Sequence, residues 1–308
     1  MLEIDSLCKK YGKFTAVDNL SFKVKEGEIF GFIGPNGAGK TTTMKILAGL
    51  LKETSGKVRI NGVDALKESR KIKEYIGYMP DFFGVYDNLK VSEYLDFYAS
   101  IYDIYKGEKD KICNDLLELV NLSNKKDIYV DSLSRGMKQR LCLARSLIHN
   151  PKLLILDEPA SGMDPRARYE MKEILKSLRD RGKTVIISSH ILSELSEICT
   201  SIGIIDKGKI VMSGSAQEIM MKGYGHRRVN VKLMGEIDAA IKILKEIPEV
   251  IEALKYPDFI QVAIKGGDED MNRILKILIN RSLPVVSFSE VGGRLEDVFM
   301  KVTERSEG

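Results

Sequence analysis

The stretch that decides the fold is Gly34-Pro35-Asn36-Gly37-Ala38-Gly39-Lys40-Thr41. It follows an apolar run from Glu28 to Ile33, typical of a buried strand, and it precedes a segment of helical composition from Thr41 to Leu51. Glycines at this spacing let backbone amides wrap around an anion, toward which the next helix points its N-terminus. A glycine-rich turn that arose by chance would not need a buried strand before it and a helix after it. The sequence therefore predicts a phosphate-binding loop, in which Lys40 reaches the terminal phosphates of a nucleotide and the Thr41 hydroxyl contacts Mg²⁺.

An acidic pair, Asp157 and Glu158, ends a second apolar run from Leu153 to Leu156. By itself, an acidic pair after a strand most often only begins a solvated loop. Beside a phosphate-binding loop the pair has another meaning, because Mg²⁺ and an attacking water must both be oriented there. We therefore expect Asp157 to orient Mg²⁺ and Glu158 to polarise the water.

The order of apolar and helical stretches predicts the fold class. Short apolar runs at Leu153–Leu156 and Val185–Ile187 flank a helical stretch from Arg166 to Arg181. Such alternation is typical of parallel strands joined by crossover helices. The segment from Val91 to Ile148 is mostly helical in pattern and predicts a helical subdomain. We therefore expect an α/β domain at residues 1–222.

A second, smaller domain is predicted at residues 229–308, beyond a glycine-rich basic segment at residues 222–228. Its stretches follow the order β-α-β-β-α-β, the signature of an α+β ferredoxin-like domain. The acidic run Asp268-Glu269-Asp270 is expected to begin its second helix, and a closing helix is expected from Leu295 to Val302. The domain has no glycine loop or paired catalytic carboxylates, so we expect no second reaction there.

Composition and charge narrow the function classes. The chain has 44% hydrophobic and 30% charged residues and a net charge of +4 without long runs of one sign, which disfavours a nucleic-acid-binding protein. The cysteines have no metal or redox spacing, and we expect reduced thiols in the cytosol. They are Cys8, Cys113, Cys142 and Cys199. The N-terminus lacks the pattern of a signal peptide, and no apolar stretch approaches the roughly 18 residues that span a bilayer. A transport role would therefore need another chain for the membrane path.

A third motif discriminates among nucleotide-binding proteins. The stretch Leu133-Ser134-Arg135-Gly136-Met137-Lys138-Gln139-Arg140 lies between the phosphate-binding loop and the acidic pair. His190 follows the acidic pair, directly after another apolar run. In this order the motifs resemble the ATPase subunit of an ATP-binding cassette (ABC) transporter. The resemblance covers residues 1–222 and implies a P-loop NTPase fold of the ABC ATPase type.

The resemblance implies that Ser134 and Gly136 contact the γ-phosphate of an ATP molecule held by a second copy of the chain. Two active sites would then form only in a nucleotide-sandwich dimer. The residue types fit this role, because Ser134 can cap a helix whose amide end faces a phosphate. The motif departs from the commonest family form at Arg135, which replaces a glycine, and at Met137, which replaces a glutamine.

Further roles come from the resemblance alone. His190 matches the histidine that contacts the γ-phosphate, although a lone histidine after a strand is usually structural. Tyr11 lies where the family places an aromatic ring on adenine, although such a tyrosine is more often part of the packing. Asp81 replaces the commonest glutamine at a position that contacts Mg²⁺ and signals to the permease, and residues 161–164 match a loop that crosses between subunits. The implied contacts to the phosphates are Gly34, Asn36, Gly37, Ala38, Gly39, Lys40, Thr41 and Thr42.

The function implied by these features is ATP hydrolysis, with ATP and Mg²⁺ as cofactors and Lys40, Glu158 and His190 in catalysis. Hydrolysis would power a separate transmembrane permease from the cytoplasmic face of the membrane. The stretch at residues 295–299 resembles exporter-type subunits that move drugs, lipids or polysaccharides. One alternative is an ABC protein acting on nucleic acid or the ribosome, but the sequence has no coiled-coil insertion, zinc-type cysteine pairs or second cassette. A nucleotide-dependent regulator is another alternative, and the second domain could support dimers, regulate activity or be a passive appendage.

Overall fold

The computed structural model describes residues 1–82, 84, 88–219, 227–235, 237–291 and 298–300. The chain forms two compact units, Met1–Ser215 and Ala216–Gly308. Most of the basic segment at residues 222–228 lies outside the described residues. The same holds for the closing helix expected from Leu295 to Val302, of which residues 298–300 are described and are helical.

The first unit contains two sheets and a group of helices. Its described strands are β1 (Leu2–Tyr11), β2 (Phe14–Val24), β3 (Ile29–Ile33), β4 (Ser55–Ile60), β5 (Val63–Asp64), β6 (Ile76–Met79), β7 (Leu153–Asp157), β8 (Thr184–Ser189), β9 (Ser201–Asp206) and β10 (Lys209–Gly214). Its helices are α1 (Lys40–Leu47), α2 (Ser69–Ile72), α3 (Val91–Ile101), α4 (Lys106–Leu119), α5 (Arg135–Leu147), α6 (Pro165–Asp180) and α7 (Leu192–Ser196).

The larger sheet has the order β10-β9-β3-β8-β7-β6. The strands β9, β3, β8, β7 and β6 are parallel, and β10 pairs with β9 as an antiparallel hairpin. Every residue of β3, β7 and β8 is buried, as expected for a parallel sheet covered on both faces. The α/β fold predicted from the alternating runs is confirmed.

A second, antiparallel sheet of order β2-β1-β4-β5 was not predicted in full. Its core packs against that of the larger sheet, where Phe22 stacks on Phe30 at 4.9 Å and on Phe32 at 5.5 Å between ring centroids. Within it, Asn61 and Gly62 both have positive φ, 50° and 80°, and form the turn between β4 and β5. The sequence identified this turn but not the long strands β1 and β2.

The stretch from Val91 to Ile148 forms α3, α4 and α5, with two short 3₁₀ turns between α4 and α5. Tyr94 is fully buried in this helical subdomain, and its hydroxyl accepts a hydrogen bond of 3.2 Å from Arg145. The helical prediction is therefore confirmed. By contrast, α1 ends at Leu47, four residues before the expected end, because Gly49, which follows the C-cap residue Ala48, adopts a positive φ of 67°.

The second unit begins with a helical turn, α8 (216–219), and continues with β11 (Arg227–Leu233), α9 (Ile237–Lys245), β12 (Val250–Lys255), β13 (Ile260–Ile264), α10 (Asp268–Asn280) and β14 (Val285–Val291). From β11 onward this is the predicted β-α-β-β-α-β order, in an antiparallel sheet of order β12-β13-β11-β14. The backbone amide of Gly267 donates to Asp270 at 2.9 Å, so the acidic run does begin α10. Both predictions are confirmed.

None of the helices in the described part of the chain is long and apolar enough to cross a lipid bilayer.

We predict that Leu278→Ala destabilises the second unit by about 2–5 kcal/mol, because Leu278 is fully buried in its core and its removal leaves a cavity. Ile279→Ala is the matched control, since the neighbouring Ile279 side chain is 56% exposed. We expect the control to change the free energy of unfolding by about 0.5 kcal/mol or less. Urea unfolding followed by circular dichroism measures both, and equal losses would contradict the packing described above.

Candidate functional site

The carboxyl ends of the neighbouring parallel strands β3, β7 and β8 meet at one edge of the larger sheet. A cleft of about 410 Å³ lies there. It is lined by Tyr11, Phe14, Ala16, Asn36, Gly37, Gly39, Lys40, Thr41, Thr42, Asp81, Glu158, Ser161 and His190. The cleft thus combines residues that lie far apart in the sequence, and most of them are residues that the motifs predicted.

The phosphate-binding loop fits its surroundings so closely that glycine is required at two positions. A Cβ atom on Gly39, which has a φ of 103°, would lie 2.4 Å from the carbonyl oxygen of Ala16. A Cβ atom on Gly34 would lie 2.3 Å from the carbonyl oxygen of Ile205. Ala38 is buried, and its carbonyl accepts a hydrogen bond of 3.0 Å from the amide of Gly208. The loop is therefore fixed by backbone contacts on both sides, and α1 begins at Lys40 directly behind it.

The Lys40 ammonium group is only 6% exposed. It donates hydrogen bonds to the carbonyls of Gly34 at 2.7 Å and Pro35 at 3.2 Å, and it lies 3.6 Å from Oε1 of Glu158. Burial lowers the pKa of Lys40, whereas the negative charges of Glu158, Asp157 and Asp81 oppose that shift. The cation is thus held at the mouth of the loop by a cluster of carboxylates.

Asp157 is 1% exposed, and Ser188 fixes its orientation. The Ser188 hydroxyl donates to Oδ1 of Asp157 at 2.6 Å and accepts from the backbone amide of Glu158 at 3.0 Å. The second carboxylate oxygen of Asp157, Oδ2, is buried and has no hydrogen-bond partner among the described residues. Such an atom is costly to bury unless a cation or a water meets it.

The oxygen atoms near this position suit Mg²⁺. The cleft brings together the Thr41 hydroxyl and the Asp81 carboxylate, and Asp157 lies beside it with its unpaired oxygen. Mg²⁺ prefers such oxygen ligands and is usually held by one or two of them together with substrate phosphates. In the described ranges no group of three or more His, Cys, Asp or Glu side chains forms a metal site on protein ligands alone. The residues therefore fit an ion that binds together with a nucleotide.

Glu158 is held from two sides. His190 Nδ1 lies 2.8 Å from Oε2 of Glu158, opposite the contact that Lys40 makes with Oε1. The Glu158 side chain is 12% exposed and that of His190 is 45% exposed. Glu158 also has a φ of 49°, in the left-handed region that side-chain-bearing residues rarely adopt. The direct contact between Glu158 and His190 was not predicted, although both residues follow neighbouring strands.

The motif at residues 133–140 lies elsewhere in the unit. The Ser134 hydroxyl caps α5 by accepting a hydrogen bond of 3.3 Å from the amide of Met137, as the sequence predicted. Gly136 is buried against α6, where a Cβ atom would lie 2.9 Å from Cβ of Ala167. Neither Ser134 nor Gly136 is among the described residues that line the cleft. One chain by itself therefore does not bring this motif to its own phosphate-binding loop.

Two aromatic side chains lie at the other end of the cleft. Tyr11, at the end of β1, is 49% exposed, and the ammonium group of Lys9 lies 5.0 Å from its ring centroid. Phe14, at the start of β2, is 62% exposed and also lines the cleft. Sequence reasoning named Tyr11 and missed Phe14. The short turn that joins two aromatic residues was the available signal, but recognising it required strands β1 and β2.

Comparisons with known proteins agree with this geometry. A family model described as ABC transporter matches residues 17–161, and one described as the C-terminal domain of DrrA1-3-like ATP-binding proteins matches residues 214–303. The chain is 32% identical to the linearmycin resistance ATP-binding protein LnrL of Bacillus subtilis (strain 168), over 99% of each chain. It is 34% identical to the bacitracin transport ATP-binding protein BcrA of Bacillus licheniformis, over 98% of this chain and 97% of that one.

Solved structures are similar over the first unit. An ATP-binding subunit of an ABC transporter has a TM-score of 0.66 and 28% identity, covering 73% of this chain and 93% of its own. A dimeric ATP-binding cassette in a post-hydrolysis state, bound to ADP and Pi, has a TM-score of 0.63 and 26% identity, covering 70% of this chain and 98% of its own.

We predict that Ser188→Ala lowers the maximal rate of nucleotide hydrolysis about tenfold, because the variant leaves Asp157 and the amide of Glu158 without their shared partner. The concentration of Mg²⁺ needed for half-maximal activity should rise as well. Ser132→Ala is the control, since that exposed hydroxyl donates to the nearby carbonyl of Tyr129 at 2.8 Å, away from the acidic pair. A Ser188→Ala variant that matches the control in both measurements would show that Ser188 does not position the acidic pair.

Proposed function

The chain belongs to the ATP-binding subunits of ABC transporters, and we propose that it hydrolyses ATP at the described cleft to drive export through a separate transmembrane permease. One observation supports hydrolysis and not merely nucleotide binding. The Glu158 carboxylate is held between Lys40 and His190 beside the phosphate-binding loop. A protein that used ATP only as a regulatory signal would not need a positioned general base. The regulator alternative is therefore disfavoured.

In the proposed mechanism, the adenine ring stacks on Tyr11, with Phe14 beside it. The phosphates lie on the backbone amides of the loop and at the N-terminus of α1, where the helix dipole favours negative charge. Lys40 moves from the loop carbonyls to the terminal phosphates, a short displacement that preserves its charge pairing. Positioning and charge stabilisation of this kind supply most of the catalysis in phosphoryl transfer.

Glu158 polarises the attacking water, and His190 orients the carboxylate from the opposite side. When bound, Mg²⁺ supplies charge neutralisation on the phosphate oxygens, and Thr41, Asp157 and Asp81 are the residues that would hold it. The carboxylate of Asp81 can accept hydrogen bonds from water but cannot donate as an amide does.

The proposed active site is completed by a second copy of the chain. Because Ser134 and Gly136 lie away from the cleft of their own chain, we infer that they serve the ATP bound by a partner cassette. The capped N-terminus of α5 is suited to this contact. ATP would then close two copies together, and hydrolysis would let them reopen, which gives the two-state element that transport requires.

The permease contact is proposed at the end of β6. Asp81 lines the cleft, and the next residue, Phe82, has a 90% exposed side chain. A nucleotide-sensing residue directly beside an exposed aromatic ring can transmit the state of the cleft to a neighbouring chain. We extend the proposed contact from Asp81 to Tyr86, and residues 83, 85 and 86 of this segment lie outside the described residues. Contact with a permease would place the chain at the cytoplasmic face of the membrane.

Export is proposed from the relatives. Two of them are named for linearmycin resistance and bacitracin transport. A third, from Ralstonia nicotianae (strain ATCC BAA-1114 / GMI1000), is named for Nod factor export and is 32% identical over 99% of this chain. These molecules differ in chemistry, so the cargo of this chain is left undefined. Among these names, Nod factor export states the direction of transport, and it supports export.

For the second domain, which we place at residues 229–308, we propose support of the dimer. Its ferredoxin-like unit has its own core, built between one face of the sheet and the helices α9 and α10. A small folded unit that meets its twin would raise the effective concentration of the second cassette. The alternative is a passive appendage.

We predict that Glu158→Gln retains ATP binding but loses nearly all turnover, by about 10²–10⁴-fold, because the amide cannot act as a base. ATP should then hold two copies in a persistent dimer, which size-exclusion chromatography measures alongside steady-state hydrolysis. Glu173→Gln is the control, since Glu173 lies on α6 and forms an ion pair with Lys176 on the same helix. Near-normal hydrolysis by Glu158→Gln would refute the catalytic role.

We predict that a chain ending at Gly223 dimerises more weakly and loses ATPase activity on dilution more steeply than the full chain. Nucleotide binding to the single cassette should survive, because the cleft lies wholly within the first unit. Specific activity across a dilution series, with fluorescent-nucleotide binding in parallel, checks both points. Identical dilution curves for the two chains would contradict dimer support and favour the interpretation of the second domain as a passive appendage.

A further inference from the structure

The segment from Glu158 to Asp164, which we term the connecting loop, joins strand β7 to helix α6. It consists of two successive turns, in which Ser161 donates to the carbonyl of Glu158 at 3.0 Å and Met163 donates to that of Ala160 at 3.3 Å. Its first end is fixed by the bond from the Glu158 amide to Ser188. Its second end is fixed by the Asp164 side chain, which caps α6 by accepting from Ala167 at 3.0 Å. The middle of the loop, Ser161 and Gly162, depends on other contacts.

One side of the connecting loop borders a cavity of about 250 Å³. Its wall includes the loop itself, His190, and apolar side chains such as Met171, Leu175 and Ile187. Close packing normally holds a segment in place, and an adjacent void removes that restraint. The position of Ser161 and Gly162 must therefore be set from the opposite side.

Helix α5 supplies the contacts on that opposite side. The Gln139 side chain is 2% exposed, and its amide nitrogen donates to the carbonyl of Ser161 at 2.9 Å. The Arg135 guanidinium lies directly against Gly162, where a Cβ atom would be 2.4 Å from its Cζ and Nη1 atoms. Residues 135 and 139 are four apart and share one face of the helix. Together they form a brace between α5 and the connecting loop.

The brace joins two parts of the site that otherwise serve different nucleotides. Ser134 and Gly136 belong to the first turn of α5, beside Arg135. The connecting loop begins with Glu158, which belongs to the cleft of the same chain. A shift of α5 must therefore move Ser161 and Gly162, and through the Ser161–Glu158 turn it reaches the catalytic carboxylate.

We propose that Arg135 and Gln139 are positioning residues that link the phosphate contact made by Ser134 and Gly136 in one active site to the placement of Glu158 in the other. The proposal rests on the dimeric ATPase described above. It explains the arginine that replaces the commonest glycine of this motif, because the guanidinium is engaged on the chain's own connecting loop. It also explains why residue 162 is glycine, whose φ of 67° and lack of Cβ make room for Arg135.

The sharpest experiment is a compensation test. Gly162→Ala should lower kcat about tenfold or more, because a methyl group there overlaps the guanidinium and strains the backbone. Arg135→Gly removes the guanidinium, and in the Gly162→Ala background it should restore the part of kcat that the overlap costs, although by itself it lowers kcat. Such a reversal of sign shows that the two residues are energetically coupled, as the brace requires. If Arg135→Gly lowers kcat equally in both backgrounds, the proposed brace is wrong.

The second arm isolates the hydrogen bond of Gln139. Gln139→Met keeps the approximate size of the side chain without adding a charge and removes the donor to Ser161, and it should lower kcat about tenfold. The dissociation constant of a fluorescent ATP analogue for the single cassette should stay unchanged, while the Hill coefficient for ATP in hydrolysis falls toward 1. Lys138→Gln is the matched control on α5. The ammonium group of Lys138 forms a long ion pair of 3.7 Å with the exposed Asp131.

Two further measurements distinguish a positioning role from a folding defect and from a failure of the proposed ATPase function. A variant whose unfolding temperature and nucleotide affinity match the wild type, but whose kcat and Hill coefficient fall, supports a positioning role. Equal losses in thermal stability and nucleotide affinity would show a merely structural role and overturn the proposal. Glu158→Gln tests the proposed function independently, because it lies outside the brace. Normal cooperativity in Gln139→Met, with Glu158→Gln inactive, would refute the brace alone.

Discussion

The site depends on one steric constraint, which is the backbone-to-backbone fit of the phosphate-binding loop. The Gly39 end of the loop lies against the carbonyl of Ala16 in β2, and the Gly34 end lies against that of Ile205 in β9. The amide of Gly208 also bonds the carbonyl of Ala38, and its own carbonyl accepts from Asp18 at 2.9 Å. These contacts tie the loop to both sheets at once. Any side chain at the two glycines would separate the sheets or displace the loop, and the remainder of the site is positioned from it.

Charge balance is the second constraint on the site. Lys40 and Asp157 are almost completely buried, and an isolated buried charge is strongly disfavoured. Two sets of contacts reduce this cost. Glu158 lies between Lys40 and His190, and Asp157 accepts a hydrogen bond from the Ser188 hydroxyl. The same arrangement that makes the charges tolerable also fixes their orientation. Preorganised charge of this kind lowers the reorganisation required during hydrolysis.

Most of the fold could be predicted from the sequence, and the exceptions have physical causes. The antiparallel strands β1 and β2 were missed because Ser6 and Asn19 adopt positive φ and the strand register shifts several times, which breaks the alternation of apolar and polar residues. Phe14 was missed for the same reason, since its place in the cleft follows from the β1–β2 hairpin. The ferredoxin-like unit was predicted correctly, because its strands and helices are short, regular and separated by clear turns.

The sequence by itself determined the local chemistry, which comprises the phosphate-binding loop, the Ser134 cap of α5 and the acidic pair at the end of β7, and it also determined the order of elements in the second domain. These features depend on backbone conformation and on neighbours within a few residues, so a short pattern suffices to predict them. Only the tertiary structure decided that His190 contacts Glu158, that Ser188 joins Asp157 to the Glu158 amide, and that Arg135 and Gln139 hold the connecting loop. Each of these contacts joins side chains from different strands and helices. Sequence spacing fixes the length of chain between two such residues, whereas packing of the sheets and helices fixes the distance between their atoms.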